Sequence, residues 1–211
     1  MTIHYFKEGE LPYDYTGSWK QYAPDAELKL WTSDMLPYDW FPALEEYRRL
    51  EMWSVLSDFV RLWAVYKEGG IYLDCDVELV RDIRILFELE AFICQEGEPV
   101  YVNAAVTGGK KGSKHHAAML DGYFDVLAGR KRYDAPFEVA CGVWSHTDYV
   151  ASLLGRRLGR DDLNSTIMVD DLVILPKRSF YPYNWNETYT PECIKETTYG
   201  VHWWKKSWSN E

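Results

Sequence analysis

The sequence predicts an α/β protein, in which helices lead directly into strands. Apolar residues within 54–67 recur every three or four positions, which is the spacing of a helix that buries one face. Gly69 and Gly70 follow, and glycine accepts the left-handed backbone that ends a helix. The next residues, Ile71–Leu79, alternate between apolar and polar side chains, as in a strand with one buried face. We therefore expect this helix and strand to lie at the centre of the fold.

The same criteria predict the other elements in chain order. The predicted strands are Thr2–Phe6, Glu27–Trp31, Glu90–Cys94, Val100–Gly109 and Leu172–Pro176. The predicted helices are Ser18–Tyr22, Ala43–Met52 continuing into 54–67, Arg81–Phe87, Ala117–Leu127 and Tyr149–Leu158. We expect a single mixed, mostly parallel sheet flanked by helices, with residues 1–211 forming one domain, which could be the catalytic portion of a longer protein.

Composition excludes some classes of function. The 211 residues carry a net charge of -10, and a nucleic-acid or anionic-membrane surface requires clustered Lys and Arg instead. No run of about 18 apolar residues and no basic-then-apolar leader is present, so neither a membrane span nor a signal peptide is expected. The four cysteines are far apart in the sequence and are interpreted as reduced thiols. A cytoplasmic location is the resulting expectation.

Charged residues are expected to converge where the central helix meets its strand. Asp58 and Arg61 are three apart and share a helix face, whereas Asp74 and Asp76 share one side of the strand, roughly 6.5 Å apart. Two neighbouring carboxylates repel each other unless a cation lies between them, so this pair indicates a divalent metal site. A solvated acidic pair at a strand end is the alternative interpretation.

The central region contains the segments Ser57-Asp58-Phe59-Val60-Arg61, Tyr66, and Gly69 to Val77 with its Asp74-Cys75-Asp76 core. These segments resemble the DXD sugar-binding glycosyltransferases. That family includes yeast-type initiating mannosyltransferases, bacterial capsule glycosyltransferases and, more distantly, clostridial glucosylating toxins. The resemblance implies a GT-A (Rossmann-like) nucleotide-diphospho-sugar transferase fold, a nucleotide-sugar donor, and Mn²⁺ or Mg²⁺ as cofactor.

The resemblance also implies roles for individual residues in the binding of the donor. Asp58 and Arg61 would hold the donor sugar, and Asn103 occupies the place of a family Asn near that sugar. The family begins with a strand whose terminal Trp stacks on the nucleotide base, but Lys7 stands at that place here. Either Tyr5 or Phe6 is a candidate substitute, and both are equally compatible with a place in the core.

The C-terminal run resembles a family segment that folds over the donor diphosphate. On that basis His202 and Asp76 are predicted to bind the metal, and Asp74 to contact the metal, its bound water, the ribose or the sugar. An aromatic tail that packs on the core is the alternative for His202. The candidates for contacts with the diphosphate are Lys205, Lys206, Ser207 and Trp208.

The predicted function is that of a metal-dependent, retaining glycosyltransferase with Asp58, Arg61, Asp74 and Asp76 as the catalytic set. It would move a hexose from a UDP-hexose, with UDP-glucose favoured, to a saccharide or glycoprotein-glycan acceptor. A GDP-mannose-dependent mannosyltransferase is one alternative. A second is a nonenzymatic glycan- or nucleotide-binding module, which the ten Trp residues and Lys7 in place of the family Trp favour. A third is a metal-dependent phosphohydrolase that uses the acidic strand.

Overall fold

The computed structural model describes residues 1–97 and 100–205 and has a seven-stranded sheet at its centre. In chain order its strands are β1 (Thr2–Phe6), β2 (Glu27–Trp31), β3 (Gly70–Leu73), β5 (Ala91–Glu96), β6 (Tyr101–Gly109), β7 (Ile167–Val169) and β8 (Leu172–Leu175). A separate two-stranded sheet pairs β4 (Val77–Leu79) with β9 (Gly200–His202).

The order across the main sheet is β2-β1-β3-β6-β5-β8-β7. Strands β1, β2, β3, β5 and β8 run in one direction, and only β6 and β7 run in the other within the described residues. The predicted mixed, mostly parallel α/β sheet is therefore confirmed.

Helices cover the sheet, and shorter turns connect its edges. The α-helices are α1 (Thr16–Tyr22), α2 (Ala43–Arg49), α3 (Trp53–Glu68), α4 (Lys114–Leu127), α5 (Phe137–Val139) and α6 (Ser145–Leu154). A π-helical segment, Ala140–Trp144, joins α5 to α6. The 3-10 turns are Ser33–Met35, Arg84–Glu88, Arg160–Asp162, Lys177–Ser179 and Pro191–Cys193.

The two faces of the sheet bury separate hydrophobic clusters. Tyr72 of β3 and Ile93 of β5 point into the cluster that contains the buried faces of α3 and α4. Their chain neighbours Ile71 and Phe92 point the other way, into a cluster with Trp19 of α1. Both faces of β3 are thus buried, as expected for a strand in the middle of an α/β sheet.

The prediction of one continuous strand over Ile71–Leu79 is wrong. The chain leaves the main sheet after Leu73, turns through 74–76, and enters β4 of the second sheet. Alternation of apolar and polar residues is a local pattern. It cannot show that β3 pairs within the main sheet while β4 pairs with β9. The aspartates therefore lie in a turn rather than on one side of a strand.

The helix predicted over Ala43–Met52 is also interrupted rather than continuous with the central helix. It ends at Arg49, and Glu51 adopts a left-handed backbone with φ of 55°. The Met52 amide then donates to the Tyr47 carbonyl at 2.9 Å before α3 begins at Trp53. The predicted first two strands and the central helix, in contrast, are confirmed within about a residue of their expected ends.

The double glycine ends α3 through its left-handed backbone, and no side chain fits at either position. Gly69 has φ of 75°, its amide donates to the Val65 carbonyl at 2.8 Å, and its carbonyl lies 2.8 Å from Nε2 of His4. A Cβ at Gly69 would lie 2.8 Å from the backbone nitrogen of Lys111, and one at Gly70 would overlap the Thr2 carbonyl oxygen. These glycines let α3 turn directly into the centre of the sheet.

Two buried histidines, His116 of α4 and His146 of α6, are expected to make the free energy of unfolding depend on pH. Burial lowers the pKa of both His116 and His146 to about 3, and the charge of Arg61 contributes at His146. Neither ring nitrogen of His146 has a hydrogen-bond partner among the described residues. The unfolded chain takes up these protons at about pH 6.5. As the pH falls from there towards 3, protons therefore bind preferentially to the unfolded state and stability is lost.

We expect the free energy of unfolding to fall between pH 6.5 and 5 by on the order of 1.4 kcal/mol per pH unit for each histidine. The substitution His146→Leu removes one of them and should flatten this slope. Urea unfolding at several pH values measures it for the wild type and the variant. Equal slopes in the two proteins would contradict the assignment to His146.

Candidate active site

The turn from Asp74 to Asp76 carries the predicted carboxylates between the two sheets. The Asp74 amide donates to the Ala105 carbonyl of β6 at 2.8 Å, and the Val77 amide donates back to the Asp74 carbonyl at 3.0 Å. On the far side, the Trp203 amide donates to the Asp76 carbonyl at 2.9 Å. The backbone of both aspartates is thus fixed by β6 on one side and by the C-terminal segment on the other.

Pairing of β4 with β9 brings a histidine to this turn, because Val77 lies opposite His202. Nε2 of His202 is 3.3 Å from Oδ1 of Asp76 and 3.8 Å from Oδ2 of Asp74, and all three side chains are buried. Burial lowers the pKa of His202, but the charges of Asp76 and Asp74 outweigh it, and the pKa is raised overall. The Lys205 amide donates to Oδ2 of Asp76 at 2.8 Å and holds that carboxylate in place.

This group of side chains fits a divalent cation. Asp74, Asp76 and His202 each offer one ligand atom, and these atoms all lie within 4.8 Å of one another. The second ring nitrogen of His202, Nδ1, is buried without a hydrogen-bond partner among the described residues, so Nε2 is the nitrogen turned towards the carboxylates. Two carboxylate oxygens and an imidazole nitrogen suit Mn²⁺, whereas Mg²⁺ prefers oxygen ligands alone.

A buried guanidinium links the helix to the turn. Arg61 of α3 donates through Nε and Nη2 to the two oxygens of Asp74 at 3.0 and 2.6 Å, and through Nη1 to Asp58. Burial disfavours the charge of Arg61, but the two carboxylates raise its pKa well above the usual value. Burial would likewise raise the pKa of Asp74, yet Arg61 and His202 keep it lowered. Asp74 is therefore held as a carboxylate by a bidentate ion pair.

The electrostatic balance of this corner favours a cation. Three carboxylates are buried at this corner: Asp58 and Asp74 pair with the guanidinium of Arg61, and Asp76 lies beside His202. The group carries a net negative charge while His202 is neutral, and buried charge of one sign is costly unless it is offset. A divalent cation at the carboxylates would supply that offset.

Two cavities meet at this corner. The first cavity lies beside the carboxyl end of β1 and is lined by Phe6, Lys7, Glu8, Leu11, Trp53, Ser54, Ser57, Arg61, Tyr72, Asp74, Cys75 and Asp76. The second cavity has a volume of about 380 Å³ and is lined by Ser54, Asp58, Arg61, Asp74, Glu96, Tyr101, Asn103, Val139, Val143, Trp185, His202 and Trp204. Ser54, Arg61 and Asp74 line both, so the two cavities adjoin across the Arg61–Asp74 pair.

The residues predicted to bind a nucleotide sugar do not all line the same cavity. Phe6 lines the first cavity, whereas Tyr5 packs edge-on against Trp19 with ring centroids 5.4 Å apart. Asn103 lines the second cavity, where its Oδ1 accepts from the Ala105 amide at 2.7 Å and its Nδ2 donates to Glu96 at 2.7 Å.

At the C terminus, the Lys205 side chain is exposed, and its Nζ lies 5.9 Å from the centroid of the Trp203 ring. Lys205 reaches the carboxylate corner through its backbone amide. The other predicted diphosphate contacts, Lys206, Ser207 and Trp208, lie outside the described residues.

Several residues that line these cavities were not singled out from the sequence. Trp53 lies in the first cavity, and Glu96, Trp185 and Trp204 lie in the second. The high tryptophan content was a general signal for the aromatic residues. Glu96 had a weaker signal, since it is an acidic residue directly after the buried run Ala91–Gln95.

A mixed sheet of this order, with an acidic turn leaving its central strand, defines the GT-A class of glycosyltransferase folds. The solved structure titled PaToxG glycosyltransferase has the same fold, with a TM-score of 0.54 and 13% sequence identity, over 72% of this chain and 68% of that one. Residues 10–93 match the family described as glycosyltransferase sugar-binding region containing DXD motif.

Two curated relatives are named as glycosyltransferases. The chain is 32% identical over 116 residues to inositol phosphoceramide mannosyltransferase 3 of Schizosaccharomyces pombe, a match that covers 51% of this chain and 32% of the relative. It is 23% identical over 179 residues to lactosylceramide 4-alpha-galactosyltransferase of Gorilla gorilla gorilla, covering 80% of this chain and 50% of the relative. The chain thus spans half or less of the length of these two relatives.

One further feature bears on membranes. Among the described residues, none of the helices combines the length and the apolar character needed to cross a bilayer.

Proposed function

We propose that this chain is a divalent-metal-dependent, retaining glycosyltransferase that moves a hexose from a nucleotide-diphosphate sugar to a saccharide or glycoprotein-glycan acceptor. The observation that carries the proposal is the Asp74–Asp76–His202 group at the junction of two cavities. Such a junction suits a ligand whose diphosphate lies at the acidic corner, with its nucleoside on one side and its hexose on the other. We further propose that residues 1–211 act as one catalytic domain.

The protein groups would divide the work by their chemistry. Asp74, Asp76 and His202 would hold Mn²⁺ or Mg²⁺, which supplies Lewis-acid stabilisation to the departing nucleoside diphosphate. Asp58 would accept hydrogen bonds from hexose hydroxyls in the second cavity, while Arg61 fixes its carboxylate. In the first cavity, Phe6 and Trp53 offer aromatic faces to the nucleotide base.

Among donors we favour a UDP-hexose, with UDP-glucose first. GDP-mannose is the second candidate, because one relative is named a mannosyltransferase.

Purified protein should be incubated with UDP-glucose, UDP-galactose and GDP-mannose, with Mn²⁺ or with a chelator, while nucleotide release is recorded. Nucleotide release that requires the metal supports the proposal. If none of the three donors releases nucleotide, the proposal is refuted. An inverted anomer in the NMR spectrum of the glycoside product would exclude retention.

The close approach of Gly142 to Asp58 provides a test of how the hexose is held. Gly142 lies in the π-helical segment, and a Cβ there would be 2.7 Å from Oδ2 of Asp58. Asp58 is buried and tied to Arg61, so the substitution Gly142→Ala must displace a carboxylate of the site. We expect nucleotide release to slow by about tenfold to a hundredfold, the cost of misplacing a catalytic group by roughly 1 Å.

The matched control for this variant is Gly122→Ala. Gly122 is also helical, but a Cβ there would meet Ser145 at an ordinary 3.8 Å. We expect the control to retain wild-type rates of nucleotide release. Equal rates in the two variants would show that the contact between Gly142 and Asp58 has no bearing on turnover.

A further inference from the structure

A third cavity, of about 330 Å³, opens beside the second one. We call it the outer cavity, and its lining includes Glu96, Tyr101, Asn184, Trp185 and Trp204. All of these except Asn184 also line the second cavity, so the two spaces are continuous around the same side chains. A ligand in the outer cavity would therefore face whatever occupies the second cavity.

The side chains of the outer cavity combine aromatic faces with amide and carboxylate groups. Trp185 is 67% exposed at the mouth, which is unusual for so large an apolar side chain. Trp204 is held in place, with its ring 4.4 Å from that of His202 and 5.6 Å from that of Tyr181. An aromatic face with polar groups beside it matches a sugar, which has C–H bonds on its face and hydroxyls on its edge.

Asn184 lines this cavity and carries an unsatisfied hydrogen-bond acceptor. Its Oδ1 is buried and has no hydrogen-bond partner among the described residues. The neighbouring Gly97 has φ of 40°, and a Cβ there would lie 3.5 Å from this oxygen. Buried acceptors are normally satisfied, and a turn of the Asn184 side chain towards the cavity would let this oxygen accept from a ligand hydroxyl.

Glu96 stands where the two cavities join. Its Oε2 accepts from Nδ2 of Asn103 at 2.7 Å, which fixes the carboxyl group at the end of β5. Burial raises the pKa of Glu96 despite the opposing effects of Asn103 and His202. A carboxyl group in this place can accept a hydrogen bond from a hydroxyl directed at the second cavity.

From this arrangement we propose that the outer cavity is the subsite for the acceptor sugar, with Trp185 as its platform and Glu96 orienting the attacking hydroxyl. The inference depends on the proposed function, because it takes the second cavity to hold the donor hexose. In the transfer, the bond from the anomeric carbon to the phosphate oxygen breaks and a bond to the acceptor oxygen forms. The proton of the acceptor hydroxyl passes to the departing phosphate oxygen, and Glu96 holds that hydroxyl without keeping the proton.

The test compares two rates in the full chain, using UDP-glucose, UDP-galactose and GDP-mannose as donors with Mn²⁺. One is nucleotide release in water, which reports donor hydrolysis. The other is the acceleration of that release by methyl glycosides of glucose, galactose and mannose, which reports transfer. We expect Trp185→Ala to raise the KM for the glycoside by about tenfold and, because Trp185 also lines the second cavity, to lower hydrolysis by a smaller factor.

Two further variants separate the roles of the subsite. Trp40→Ala removes another largely exposed tryptophan, which is 72% exposed and does not line any of the three cavities, and it should leave both rates unchanged. Glu96→Gln keeps an acceptor for Asn103 but loses the charge, and it should lower the kcat of transfer by about tenfold.

The outcomes distinguish this inference from the proposed function. If hydrolysis occurs in the wild type but no glycoside accelerates nucleotide release, the acceptor subsite is overturned and the donor site stands. A proportional fall of hydrolysis and transfer in Trp185→Ala overturns it as well. If no donor is hydrolysed or transferred at all, the proposed function fails, and the acceptor subsite fails with it.

Discussion

Replacing Asp76 by Asn is expected to lower the rate of nucleotide release by at least about a hundredfold. Oδ1 of Asp76 faces Nε2 of His202, and its Oδ2 is fixed by the Lys205 amide, so the carboxylate is positioned as a ligand. Asn keeps the shape but removes the charge that a divalent cation needs. The measurement is the rate of nucleotide release over a series of Mn²⁺ concentrations, with Mn²⁺ binding followed by electron paramagnetic resonance.

Asp82→Asn is the matched control for this substitution. Asp82 also neighbours the second sheet in sequence, but it is exposed and pairs with Arg84 at 2.5 Å. This variant should bind Mn²⁺ and release nucleotide as the wild type does. An Asp76→Asn protein with unchanged Mn²⁺ affinity would show that the cation is bound elsewhere.

Replacing Arg61 by Met is expected to lower the free energy of unfolding by about 3–5 kcal/mol, the usual cost of removing one member of a buried ion pair. Arg61 makes bidentate contact with Asp74 and also holds Asp58, and all three side chains are buried. Without the guanidinium, two buried carboxylates lose their counter-charge. Urea unfolding followed by circular dichroism measures the change.

The control is Arg84→Met, which removes an exposed guanidinium from an ion pair on the surface. Exposed pairs contribute little, because water already solvates both charges. We expect its unfolding curve to overlay that of the wild type. If Arg61→Met were equally neutral, the acidic corner would be stabilised by something other than this guanidinium.

The central part of the fold could be predicted from the sequence because its signals are local. The apolar spacing of α3 and the glycine pair that ends it depend on residues within one or two turns of each other. The first two strands, Thr2–Phe6 and Glu27–Trp31, could be predicted from the sequence in the same way. In contrast, the end of β3 at Leu73 was missed, because β4 pairs with a strand that begins at Gly200.

The site was predictable to the same extent. Asp58 and Arg61 share a helix face, and the aspartates of the turn follow within a short stretch, so the pattern is visible in the sequence. Glu96 and Trp185 were missed because nothing in their own neighbourhoods places them near that stretch. They reach it only through the adjacency of β5 and β6 and through the segment that leads to β9.

By itself, the sequence determined the central helix, its end at the glycine pair and the two aspartates that follow, since hydrophobic period and backbone sterics act over a few residues. The tertiary structure decided that His202 lies beside Asp76 and that Arg61 donates hydrogen bonds to Asp74 instead of being solvated. The physical reason is that the His202 contact depends on the pairing of β4 with the distant β9, and the Arg61–Asp74 contact depends on the packing of α3 beside β3. Such pairing is selected by the free energy of the whole fold rather than by any local pattern.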